Sequence, residues 1–132
     1  MKRLKPEEEV RQKLLQDMKH RLGFPPEMIS VERKLSSMPH LVGLKIPDRR
    51  FDIVCFKKYG EEIRPLLVIE CKAVPLTKGV IEQVIGYNYY ARAPFIAIAN
   101  QSQIFTGLYS SKEGYHFQEG LLSYERMRNL SE

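Results

Sequence analysis

A chain of 132 residues is long enough for one compact domain and too short for two of ordinary size. Its 43% apolar and 28% charged content suits an ordinary globular core and argues against disorder, and no apolar run approaches the ~18 residues of a membrane span. The net charge of +5, with a pI near 9.2, favours a polyanionic partner, nucleic acid first among them.

Residues 6–22 read as a helix. Pro6 suits the first helical position, and Glu7, Glu8 and Glu9 face the positive end of the dipole. Val10, Leu14, Met18 and Leu22 recur at helical spacing, with Leu15 widening the stripe, before Gly23 and Pro25-Pro26 stop it. A strand is predicted over 28–35, then an irregular connection over 36–48. "RRFDIVCFK", 49–57, is a second strand by its β-branched and aromatic content. "KYGEE" turns the chain, and "RPLLVIECK", 64–72, is the third strand. A helix over 77–92 carries Val80, Ile81, Val84, Ile85 and Ala91 on one side. Strands follow over 94–100 and 103–110, and a short helix over 121–130. The predicted order is α-β-β-β-α-β-β-α: an α/β fold with a mixed β-sheet of about five strands flanked by helices.

No internal repeat and no Gly/Pro/Ser-rich linker divides the chain, so residues 1–132 read as a single domain. The basic excess is spread over Lys2, Arg3, Lys5, Arg33, Lys34, Arg49, Arg50, Lys57 and Lys58 and forms no low-complexity tail. No apolar stretch follows the opening "MKRLKPEEEV", so no secretory signal is expected. Cys55 and Cys71 lie inside apolar runs and read as buried free thiols in a reducing cytoplasm. Neither they nor the scattered histidines have the spacing of a zinc site.

Side chains alternate across a strand. Leu66, Val68, Glu70 and Lys72 are expected on one face of the third strand, and Leu67, Ile69 and Cys71 on the other. In the second strand the same pattern groups Arg50, Asp52, Val54 and Phe56 opposite Phe51, Ile53 and Cys55. A turn centred on Gly60 or Glu61 puts Asp52 opposite or next to Glu70. Two carboxylates about 4.5–5.5 Å apart at Cβ repel and raise one pKa unless a cation sits between them. Lys72 is one such cation, and a divalent metal is a better one. Hard oxygen ligands of this kind suit Mg²⁺ or Mn²⁺. The bland alternative is a solvated or structural ion pair at a strand end.

Asp52 followed across a hairpin by Glu70-Cys71-Lys72 resembles the PD-(D/E)XK nuclease superfamily. "PEEEVRQ" at 6–12, "RRFDIV" at 49–54, "VIECKA" at 68–73 and "EQVIGYN" at 82–88 make the chain similar to the N-terminal nuclease-type domain of type I restriction enzyme R subunits and its stand-alone relatives. The resemblance implies a restriction-endonuclease-like core and metal-assisted hydrolysis of nucleic-acid phosphodiester bonds, with DNA as the expected substrate. It implies that Asp52, Glu70 and the backbone carbonyl of Cys71 hold Mg²⁺, or Mn²⁺, and that Lys72 positions water or offsets phosphate charge.

Gln83 and Tyr87 match the superfamily's Gln-x-x-x-Tyr pattern, with Asn88 following, and share a helix face. Gln83 joins the expected catalytic set. Tyr87, Arg49 and Arg50 are expected nucleic-acid contacts, against packing or a solvated edge as the alternatives. Glu8 is chosen as the acid lent by the first helix, with Glu7 and Glu9 as alternatives and helix-dipole pairing as the plainer reading. Two departures stand out. Phe51 precedes Asp52 where the pattern has proline, and Asn100-Gln101 stands where relatives read Asn-Gly. The length and the missing G-x-x-x-x-G-K-[ST] leave no room for a helicase motor. A lone nuclease-type domain, a homodimer or a piece of a larger complex is therefore expected. The competing reading is a non-cleaving module that binds nucleic acid or a partner.

Overall fold

The computed structural model describes residues 5–131, so Lys2 and Arg3 lie outside the described residues. Helix α1, Pro6–His20, ends two residues earlier than its apolar stripe suggests. The Arg21 and Leu22 N–H groups still donate to the Asp17 carbonyl, which draws Leu22 into the core. Strand β1, Ile29–Lys34, follows a short 3₁₀ turn. The irregular connection holds two more such turns, Leu35–Ser37 and Pro39–Leu41, pinned by buried Leu35, Met38 and Leu41.

Strands β2, Arg50–Tyr59, and β3, Glu62–Cys71, form a hairpin closed by Gly60-Glu61, with Gly60 at φ 63°. Helix α2, Lys78–Ala91, is capped by the Thr77 side chain and carries the chain to β4, Phe95–Ala99. Strands β5, Ile104–Ser110, and β6, Gly114–Glu119, form a second hairpin before α3, Tyr124–Leu130. The sheet is therefore six-stranded, in the order β1-β2-β3-β4-β5-β6, where about five strands were predicted. The added strand is β6. Its alternation of Tyr115 and Phe117 with His116 and Gln118 is too short and too polar to stand out in the sequence. The β3–β4 pair is parallel because α2 intervenes, and every other pair is antiparallel.

Helices α1 and α3 cover one face of the sheet, where Val10, Met18, Leu67, Ile69, Cys71 and Met127 pack together. Helix α2 and the 3₁₀ turns cover the other, against Val54, Val68, Val84, Ile96 and Ile98. The simple alternation expected in β3 fails at one point. Cys55 pairs with Leu67 but Phe56 pairs with Pro65, leaving Leu66 as an extra residue on β3. Leu66 consequently packs on the α1 side with Leu67, not with Val68. Phe51 also departs from its expected face and packs with Val54 and Phe56. At that level of the sheet Glu32 in β1 takes φ 51°, which interrupts regular pleating.

Helix α2 ends on Arg92 in the left-handed conformation, φ 56°, a place usually left to glycine. Buried Asn88 holds this turn. Its Oδ1 accepts from the Ala93 N–H at 3.0 Å, and its Nδ2 donates to the Ala93 carbonyl at 2.8 Å and to the Tyr115 hydroxyl at 2.7 Å.

Candidate active site

The hairpin register decides where the two strand carboxylates meet. Near the turn, Tyr59 pairs with Glu62, and that register continued would set Asp52 opposite Ile69. The extra residue at Leu66 advances β3 by one. The last paired residues become Ile53 and Ile69, and the next step brings Asp52 level with Glu70. Beyond that step, side chains replace the ladder. The Cys71 N–H donates to Asp52 Oδ2 at 2.7 Å, and the Asp52 N–H reaches Glu70 Oε1 at 3.4 Å. Each carboxylate is thus oriented by the backbone of the strand opposite.

Glu70 is 9% exposed. Burial pushes its carboxyl up to about 8, and the Asp52 carboxylate adds to the rise. The Lys72 ammonium and the Asp52 N–H oppose it. Lys72 leaves the strand at once. Its own N–H donates to the Ala99 carbonyl at 2.8 Å and its side chain is half-buried. The Cys71 side chain packs in the apolar layer under α1, where burial pushes its thiol up to about 12. Only the backbone of Cys71 is therefore available as a hard ligand.

The other expected site residues are placed less directly. Glu8 is held by neighbours: Gln12 Nε2 donates to it at 2.7 Å, and Arg11 pairs with it. The Gln12 amide, with Arg11, keeps the Glu8 carboxyl below its ordinary range. Arg11 also reaches Glu32 in β1 at 3.2 Å, so the ion chain Glu8–Arg11–Glu32 ties α1 to the edge strand. Glu7 is exposed at the start of α1. Glu9 is exposed.

Gln83 is exposed on α2, and among the described residues no hydrogen bond joins it to either carboxylate. Tyr87, one turn on, is half-buried with the Arg49 guanidinium 5.3 Å above its ring, which fastens the start of β2 to α2. Arg50 is exposed beside Lys34 of β1. Asn88, noted in the sequence only as following Tyr87, is a packing residue. Its buried clamp on Ala93 is a long-range arrangement with no local sequence signal.

The donor set fits a hard divalent cation in kind. Asp52 and Glu70 offer carboxylate oxygens side by side, with Glu70 raised first by burial and then by the Asp52 carboxylate. It is sparse in number. Among the described residues no group of three or more His, Cys, Asp or Glu gathers as a metal cluster. A cation here would keep several waters, as Mg²⁺ commonly does.

Comparison with known families places the chain beside one of them. The model of the type I restriction enzyme R protein N terminus (HSDR_N) matches residues 6–121, a span from α1 to just past β6 that takes in Asp52, Glu70, Lys72 and Gln83. No curated protein and no solved structure gives a significant match.

Proposed function

The chain belongs to the family of type I restriction enzyme R protein N termini, and from that premise we propose that it is a divalent-metal-dependent nuclease domain acting on DNA. The observation that carries this reading is the pairing of Asp52 and Glu70 at the end of the β2–β3 ladder, with Lys72 directly after them. Asp52, Glu70 and the Cys71 carbonyl would hold Mg²⁺ or Mn²⁺, which when bound supplies a polarised phosphate oxygen and a water of lowered pKa.

The chain's own groups do the rest. The Cys71 N–H fixes Asp52, and the Asp52 N–H steadies Glu70. Lys72 sets its ammonium against the negative charge that builds on the phosphate. Gln83, on the exposed side of α2, binds a phosphate oxygen, and Arg49 and Arg50 meet the backbone of the strand beyond. Tyr87 carries Arg49. Glu8 acts at one remove as a positioning residue, through Arg11. The buried thiols suit a reducing cytoplasm, and cutting both strands of a duplex would recruit a second copy or a larger assembly.

A second reading has its own support. Glu8 is occupied by Arg11 and Gln12, and among the described residues two side-chain acids meet at the strand ends, as suits a module that holds DNA without cutting it. Calorimetric titration of Mn²⁺ separates the two. One site is expected in the wild type, lost in both Asp52→Ala and Glu70→Gln. Equal heats for wild type and Asp52→Ala would refute the metal site and favour the binding module.

A further inference from the structure

Three hollows, of about 710, 860 and 510 Å³, lie together at the other end of the sheet from the carboxylates, and Arg92 borders all of them. They gather around the start of β3 and the end of α2. From Pro65 to Glu70 along β3 is about 17 Å at ordinary strand rise, so this surface is separate from the acidic pair.

Its chemistry is specific. The cationic residues lining these hollows are Lys45, Lys57, Arg64 and Arg92, with the imidazole of His40 beside them, against one acid, Glu62. Glu62 and Arg64 pair with each other at 2.8 Å, and Lys57 is buried with its ammonium on the Ser131 hydroxyl at 2.7 Å, so Lys45 and Arg92 are the remaining exposed cations. Between the cations stand aromatic rings. Tyr89 from α2 is 72% exposed and Tyr109 from β5 is 54% exposed, and both line the hollow of about 860 Å³. Each is braced by a neighbouring ring, Tyr90 and Tyr115 respectively, at 5.3 Å between centroids. The floor is rigid, because the Tyr115 hydroxyl is bonded to the Asn88 amide that also clamps the Arg92 turn. Gly86 leaves open space on the helix side.

Exposed, braced tyrosines interleaved with cations form a stacking platform with phosphate contacts. A duplex hides its base faces and would leave the rings unused, whereas an unpaired strand offers base and phosphate together. We propose that this surface is a second nucleic-acid site, specific for single strands, with bases stacked on Tyr89 and Tyr109 and Arg92 on the phosphates. It stands whether or not the carboxylate pair cuts.

Fluorescence anisotropy tests it with a labelled oligothymidylate of about 15 nucleotides, an oligouridylate of the same length, and a matched duplex, all in EDTA. Tyr89→Ala and Tyr109→Ala act at exposed positions. Arg92→Gly removes the guanidinium while easing the left-handed backbone, so the variant folds. The wild type is expected to prefer a single strand over the duplex. Each tyrosine substitution should weaken single-strand binding about fivefold and leave duplex binding unchanged. Arg92→Gly should weaken it too and lower the salt slope by about one. Preference among single strands for thymidylate or uridylate identifies DNA or RNA as the source, and either supports the site. Unchanged single-strand affinity in all three variants overturns the proposal. So does a wild type that binds the duplex as tightly. So does a change in sedimentation with no change in affinity, which would make the surface a contact between proteins.

Discussion

Glu70 is the buried acid of the strand-end pair. Its carboxyl ionises near pH 8 in the folded chain and near 4.5 when unfolded, because burial and Asp52 outweigh Lys72. Between those values the folded state holds a proton that the unfolded state has released. Stability without metal is therefore full below about pH 4.5, declines as pH rises, and levels off above about 8, a loss on the order of a few kcal/mol. Thermal melts in EDTA from pH 5 to 8 should show this fall. Glu70→Gln, which has no proton to lose, should flatten the curve, and a wild-type melting temperature that rises over that range would contradict the account. The residues of this pair were legible in the sequence, because a charged Glu-x-Lys closing an apolar run is conspicuous. The fate of Glu8 was not. Whether a helix acid reaches the strands or an arginine one turn away depends on side-chain reach, and here Arg11 intercepts it.

At the scale of elements, the extra residue at Leu66 does more than irregularise a strand. It changes the hairpin register so that Asp52 meets Glu70 and not Ile69. The sequence allowed both registers, since nothing local marks which of two adjacent leucines is left unpaired. Helix and strand existence was otherwise readable from periodicity, and β6 was missed because an edge strand needs few apolar residues. The end of α2 is a second case of long-range control. Asn88→Ala strands the Ala93 N–H and carbonyl in a buried place and removes a partner from the half-buried Tyr115 hydroxyl. The expected cost is about 2–4 kcal/mol by urea denaturation, whereas substitution of exposed Gln83 by Ala should cost less than about 0.5 kcal/mol. If Gln83→Ala proves equally destabilising, Gln83 has a packing role and its assignment to the phosphate fails.

For the whole molecule, a net charge of +5 predicts salt-dependent association with nucleic acid. If Arg49 and Arg50 each neutralise a phosphate, replacing both with alanine should reduce the slope of log K against log salt by about two, measured with a duplex in EDTA. An unchanged slope would place both on a solvated edge. Arg49 carries the sharper expectation, because its stacking on Tyr87 gives it a fixed direction. Family membership and net charge both favour DNA, and on the proposed reading the strand-end acids separate cutting from holding. The direct measurement is cleavage of plasmid and single-stranded DNA in Mg²⁺ or Mn²⁺ by the wild type, Asp52→Ala and Lys72→Ala, with all three shown to bind DNA in EDTA. The account predicts metal-dependent products from the wild type and a loss of about 100-fold or more in each variant. Cleavage that persists in both variants, or DNA binding by the wild type with no products in either metal, would contradict it.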